Sequence, residues 1–201
     1  MNIVIDGNAF LSVSTSIVKN ILAKNRSVGE RYYVGDLTSD KYILKEASKN
    51  EFKRFSLNYF GSILAPFKEN VESVFIVFDS RSWRKAFIKQ HIAIHGEEGD
   101  FEYKANRKYD ETHHLFFDYF QEEIVPILEQ SYGVITSRVH GAEGDDIIAY
   151  ICETIPEEDI CIWTVDKDLI QLVDNAKRKI ILLMPKMMTK HKKVYTSEDF
   201  D

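Results

Sequence analysis

The chain is poor in the residues that staple, kink or loosen a fold. Two cysteines, Cys152 and Cys161, occur in 201 residues, both in apolar helix-like or strand-like surroundings and without C-x-x-C spacing. That excludes a disulfide framework and a thiolate zinc site, and predicts two buried, reduced thiols. With 4 prolines and 9 glycines, collagen-like repeats and long flexible linkers are excluded as well. No apolar run reaches the ~18 residues of a membrane span. The opening MNIVIDGNAF has no basic segment leading into an apolar one, so no secretory leader is expected either. The expectation is a soluble cytoplasmic protein with no membrane partner. Positive charge is not in excess: 26 Lys and Arg stand against 32 Asp and Glu, a net charge of −6.

What is present is a core. Hydrophobic residues make up 44% of the chain and aromatic residues 12%, enough for one domain over residues 1–201, and neither an internal repeat nor a low-complexity tract interrupts it. Residues 2–5 form a short apolar strand, Gly7-Asn8 a turn, and 9–23 a helix. Residues 25–47 read as an irregular polar connection. Apolar residues at helical intervals over 49–69 predict an amphipathic helix, and 73–78 is an apolar run suited to a strand covered on both faces. A basic and aromatic region at about 81–110 predicts two helical pieces joined by a loop, an arch in outline. Then follow a helix over 111–131 with a kink at Pro126, a strand over 133–136, a helix from about Glu143, a strand over 160–164, a short helix, and a last strand over 179–184. Strands alternating with helices predict an α/β domain with a mainly parallel central sheet flanked by helices.

In such sheets, sites form outside the carboxyl ends of the strands. Asp6, Asp79 and Asp166 all fall there, Asp168 follows, and HGAEGDDIIAYI (140–151) adds Glu143, Asp145 and Asp146 at a helix start. Taken singly, Asp6 could shape a turn and Asp166 cap a helix. Jointly, seven acids would repel one another unless cations arrive, and oxygen-only ligands suit Mg²⁺ or Mn²⁺ rather than Zn²⁺. Mg²⁺ favours phosphate company, so two such ions acting in phosphodiester hydrolysis are the expected use. Glu143 and Asp146, three apart, share a helix face, and Asp145 points elsewhere. The basic residues are grouped despite the acidic total: Arg81, Arg84 and Lys85 around Trp83, then Lys104 and Arg107 on one helical face beside Tyr103, then 186–193. Lys104 and Arg107 are placed to grip one phosphate, against the bland reading of a solvated basic face. The stripe Phe116, Phe117, Tyr119 and Phe120 is core packing.

Neither G-x-x-x-x-G-K-[ST] nor G-x-G-x-x-G occurs, which disfavours a nucleotide-dependent kinase-like or dinucleotide-binding function. A topoisomerase–primase type of metal site would use TVDKD but leave Asp6 and Asp79 unexplained. A PIN-type single-strand ribonuclease would use four of the acids without needing the basic insert at 81–110. A nucleic-acid-binding module that has lost its chemistry is the non-enzyme alternative.

The ordered segments VIDGN, VFDS, YKANR, GAEGDDIIA and TVDKDLIQLV resemble the 5′-nuclease family, which includes flap endonucleases and phage 5′–3′ exonucleases. SWRKAF and PKMMTKHKKV are similar to its T-even phage ribonuclease H branch. The resemblance covers most of residues 1–195 and implies a PIN-like fold that cleaves 5′ ends or flaps of DNA and RNA–DNA hybrids with two divalent ions, in phage replication and primer removal within the host cytoplasm. It matches Asp6, Asp79, Glu143 and Asp145, with Asp146 beside them, to one metal site, and Asp166 and Asp168 to a second. It makes Lys104 and Arg107 the pair on the scissile phosphate and Tyr103 an aromatic that stacks on a base. A single-strand-binding protein or a sliding clamp is the kind of protein partner it suggests. In the family a helix–hairpin–helix region that grips duplex DNA follows a GD-x-x-D element. The expectation is that 1–201 is the catalytic domain, truncated before that region, and that TSEDFD (196–201) supplies no missing ligand.

Overall fold

The structure is a computed structural model that describes residues 1–24, 33–34, 43–80, 83, 87, 90, 113–155, 158–173, 179–185 and 193–196. Its centre is a six-stranded sheet in the order β5-β4-β1-β6-β7-β8. The strands are β1 (Asn2–Asp6), β4 (Ser73–Val77), β5 (Ile135–Ser137), β6 (Ile160–Trp163), β7 (Ile180–Met184) and β8 (Lys193–Tyr195). All neighbours are parallel except β7 and β8, which run antiparallel. A two-stranded ribbon, β2 (Tyr33–Val34) with β3 (Ile43–Leu44), lies apart from it. The mainly parallel α/β architecture is therefore as the strand and helix alternation predicts.

Both faces of the sheet are covered, which is why its strands are apolar without polar alternation. Ile3, Ile5, Ile76, Cys161, Trp163, Ile181 and Leu183 point to one side. There they meet α1 (Gly7–Lys24), α2 (Glu46–Leu64) and α3 (His113–Tyr119) through an aromatic cluster. Phe10 stacks on Tyr59 at 5.6 Å between ring centroids and meets Trp163 edge-on at 5.9 Å, while Phe52 meets Phe116 at 4.9 Å. Burial in this cluster pushes the Tyr59 hydroxyl up to about 12. Val4, Val77, Ile160, Ile162, Leu182 and Met184 point the other way, onto Ile147, Ile148 and Ile151 of α5 (Gly144–Thr154). Cys152 and Cys161 are buried thiols outside any disulfide, and Phe116 and Phe120 are fully buried, as the composition and the stripe predict.

Several boundaries differ from the sequence expectation. The Gly7-Asn8 pair does not make a separate turn: α1 starts at Gly7, because the Asp6 carboxylate accepts the Ala9 N–H at 2.9 Å and caps the first turn. Ribbon β2–β3 lies in the stretch read as irregular, and a two-residue strand carries too little pattern to announce itself. Edge strand β8 likewise lies beyond the last strand the sequence predicts. The break expected at Pro126 is taken up one turn earlier, by a π-helical segment, Phe120–Ile124, in which the Val125 N–H reaches Phe120 O. Pro126 then sits in the first turn of α4 (Val125–Tyr132), directly after the π-helical segment. Gly133, at φ 65°, ends α4 in the left-handed cap that favours glycine. Among the described residues, no helix is long and apolar enough to cross a membrane.

The join between β1 and α1 is tight. A Cβ on Gly7 would lie 2.5 Å from the Phe78 ring and 2.8 Å from the Val77 carbonyl oxygen, and the second neighbour is backbone that cannot step aside cheaply. Gly7→Ala is expected to destabilise the protein by about 1–3 kcal/mol, measured by chemical denaturation, since it overpacks a site where strand and helix touch. An unchanged unfolding midpoint would show that β4 yields at this point.

Candidate active site

The strand order reverses at β1: the chain proceeds from β1 to β4 and β5 on one side, then to β6 and β7 on the other. A crevice for ligands is expected outside the carboxyl ends at such a point. Asp6 closes β1, Asp79 lies two residues beyond β4, and Asp166 lies three beyond β6. These are three adjacent strands, so their carboxylates face a common region. Burial is the main cause that raises the Asp6 pKa above the ordinary carboxylate value, and the negative charges of Asp79 and Asp166 raise it further; hydrogen bonds from Ala9 and Thr164 pull the other way.

Each acid is held by a fixed donor. Asp6 Oδ2 accepts the Thr164 hydroxyl at 2.8 Å, and the same Thr164 Oγ1 accepts the Asp166 N–H at 3.0 Å. A single, fully buried hydroxyl thus ties the end of β1 to the loop after β6. Asp166 Oδ1 in turn accepts the Asp168 N–H at 2.9 Å, which folds the loop into the 3-10 turn Asp168–Leu172. On the other side, Asp79 Oδ1 accepts the Gly144 N–H at 2.6 Å. Gly144 is the first residue of α5, so its N–H is one of the donors a helix leaves unpaired, and the helix dipole favours the carboxylate there. A Cβ on Gly144 would stand 3.0 Å from that Asp79 oxygen, so glycine lets the helix end come this close.

Glu143 and Asp146 are engaged with each other. Glu143 is the N-cap of α5, Asp146 Oδ2 accepts the Glu143 N–H at 3.0 Å, and the Glu143 side chain accepts the N–H of Asp146: a capping box. Glu143 is buried and Asp145 half-buried in the same first turn, while Asp168 is exposed. Asp6 is therefore in electrostatic contact with both Asp79 and Asp166, and the Gly144 bond to Asp79 brings the N-cap end of α5, with Glu143, to Asp79. Among the described residues, no group of three or more His, Cys, Asp or Glu side chains is already drawn together around a cation position. The donor set is nonetheless carboxylate oxygen throughout, the kind that suits a hard divalent cation.

The loop ahead of α5 is pinned to the segment after β4: Ser80 N–H donates to Ala142 O at 3.1 Å and Trp83 N–H to Gly141 O at 2.8 Å. Gly141 adopts φ 86°, a conformation side chains disfavour. Trp83 is 52% exposed and its ring lies 6.0 Å from the exposed Phe87, so an aromatic pair projects beside the acids. Arg81, Arg84, Lys85, Tyr103, Lys104 and Arg107, with most of the expected arch at 81–110, lie outside the described residues. The sequence reading missed Thr164, Gly144 and Arg138, whose Nε donates to the Asp79 carbonyl at 3.0 Å. Thr164 carried one usable signal: it stands between a buried strand and Asp166, where a short hydroxyl can reach backbone on either side.

Thr164→Val keeps the shape and removes both hydrogen bonds, leaving the buried Asp6 carboxylate short of a donor. The expected loss is about 1–3 kcal/mol of unfolding free energy, with Thr164→Ser retaining most of it. Equal stability of the valine and serine variants would contradict this role for the hydroxyl.

Comparison with known proteins agrees with the geometry. A family model described as the 5′–3′ exonuclease, N-terminal resolvase-like domain, matches residues 42–201. A 5′–3′ exonuclease of Mycoplasmopsis pulmonis (strain UAB CTIP) is 31% identical over 160 residues, covering 76% of this chain and 48% of the relative. The chain thus spans about half the length of that protein. A bacteriophage T5 flap endonuclease variant, solved as a pseudo-enzyme–product complex with DNA and metal ions, superposes with a TM-score of 0.54 at 12% identity, over 99% of this chain and 58% of that one. T5 5′-exonuclease with bound zinc gives 0.52 at 13%, over 100% and 59%. At such identities the structural likeness is one of fold. The family match spans most of the sequence and includes the acids from Asp79 onward, and the chain belongs to the 5′–3′ exonuclease family through its N-terminal resolvase-like domain.

Proposed function

We propose that the chain is a divalent-metal-dependent 5′ nuclease that hydrolyses phosphodiesters at the 5′ ends or flaps of DNA and RNA–DNA hybrids. The observation that supports this most is the opposition of Asp6, Asp79 and Asp166 at the ends of three adjacent parallel strands. Like charges held together by the fold cost stability unless they serve a cation. Mg²⁺ or Mn²⁺ fits these oxygen donors: Asp6, Asp79, Glu143, Asp145 and Asp146 would hold one ion, Asp166 and Asp168 a second. The chemistry such ions supply when bound is activation of a water and neutralisation of charge on the leaving oxygen.

The chain's own residues set the stage for that chemistry. Thr164 fixes the Asp6 carboxylate and the Asp166 backbone together, Asp168 N–H holds the Asp166 carboxylate, and Gly144 fixes Asp79. Lys104 and Arg107 take the scissile phosphate, a role assigned from their spacing and the family resemblance. Tyr103 stacks on a base, and Trp83, with Arg81, Arg84 and Lys85, meets the nucleic acid beside the acids. The exposed Trp83–Phe87 pair supports that placement, because an aromatic face in water next to a phosphate-handling site suits a nucleobase. Removal of primers during replication, by an enzyme working in the cytoplasm of its host cell, is the use that fits.

The test is cleavage of a 5′-labelled flap duplex in Mg²⁺ or Mn²⁺, beside Asp79→Asn, Lys104→Ala and a single-stranded RNA control. The wild type is expected to release 5′ products only with metal, and Asp79→Asn to lose at least two orders of magnitude in rate, about 2.7 kcal/mol or more of transition-state stabilisation. A folded protein that leaves the flap intact, or cuts single-stranded RNA alone, would overturn the assignment.

A further inference from the structure

Arg138 immediately follows β5, the edge strand beside β4, at the carboxyl edge of the sheet. Its Nε–H donates to the Asp79 carbonyl at 3.0 Å. The guanidinium lies over the Phe117 ring at 5.2 Å and the Phe78 ring at 6.0 Å, so one edge and one face are fixed by the protein. Arg138 is exposed, and among the described residues no carboxylate pairs with it and its four remaining N–H donors meet no acceptor. A structural counter-ion for Asp79 would bond the carboxylate. Arg138 bonds the backbone carbonyl instead, which leaves its charge for something outside.

We propose that Arg138 binds a phosphodiester of the substrate strand next to the one held at the acids. This rests on the nuclease reading and extends it. The acids occupy the ends of β4, β1 and β6, and Arg138 continues that row by one strand, a step of ~4.8 Å. A nucleic-acid strand leaving the acids toward β5 meets a guanidinium already oriented by two rings and a carbonyl, and a fork of N–H donors matches two phosphate oxygens. Because the net charge of the chain is −6, anion binding depends on locally placed cations of this kind.

The test measures equilibrium binding of a 5′-phosphorylated flap DNA in Ca²⁺, between about 50 and 200 mM salt, together with steady-state cleavage in Mg²⁺, for wild type, Arg138→Gln and Arg138→Lys. Arg138→Gln is expected to bind roughly tenfold or more weakly, to flatten the slope of log affinity against log salt by about 0.7–0.9, and to raise KM more than it lowers kcat. Arg138→Lys should keep the slope and recover part of the affinity. A residue that only braced Phe78 and Phe117 would leave the salt slope unchanged, and Arg138→Gln with wild-type affinity and slope would overturn the proposal. Wild-type cleavage with an unaffected glutamine variant sinks this inference alone; a wild type that neither binds nor cuts sinks the nuclease reading with it.

Discussion

Asp79 and Asp166 set like charges against Asp6 where β1, β4 and β6 end, and much of the local structure holds the three there. Left alone, such a group separates or takes up protons. Here each carboxylate is fastened by a donor the fold holds in place: Asp6 by the Ala9 N–H at the start of α1 and the Thr164 hydroxyl after a buried strand, Asp79 by the Gly144 N–H at the start of α5, and Asp166 by the Asp168 N–H. The donors offset part of the repulsion without adding positive charge, so the crevice keeps a negative field for a cation to enter.

The sheet makes this arrangement rigid. β1 is hydrogen-bonded on both sides, to β4 and β6, in unbroken parallel register, so Asp6 cannot move without shifting Ile5 against Ile76 and Trp163. Interiors packed at crystal-like density transmit such shifts rather than absorbing them. The aromatic layer of Phe10, Tyr59, Phe52 and Phe116 on one face, and α5 on the other, clamp the central strands from both sides. Among the described glycines, Gly7 against β4 and Gly144 against Asp79 lie nearest their neighbours, and a side chain at either would press apart the elements that set the acids.

The parallel sheet was legible because continuous apolar runs followed by aspartate mark buried strands that end at a site. The acids were legible for the same reason, and so was the helix start at Glu143, where acids precede an apolar periodic segment. What could not be read depends on three-dimensional partners. That Glu143 and Asp146 cap each other, that Thr164 bridges two acids, and that Arg138 lies over Phe117 all follow from contacts between distant or oppositely facing residues, and no spacing rule encodes them. The π-helical segment before Pro126 is a similar case: the proline announces a disturbance, but the packing of Phe120 and Ile124 decides where the extra residue goes.

If cations are what the opposed carboxylates await, metal should stabilise the folded protein itself, independently of any substrate. The most direct measurement is the thermal unfolding midpoint of the wild type and of Asp6→Asn, with and without Mn²⁺ in large excess. A rise of roughly 5–10 °C is expected for the wild type at a hundredfold excess over the dissociation constant, and a much smaller rise for Asp6→Asn. A wild-type midpoint indifferent to Mn²⁺, or an equal rise in the variant, would contradict it.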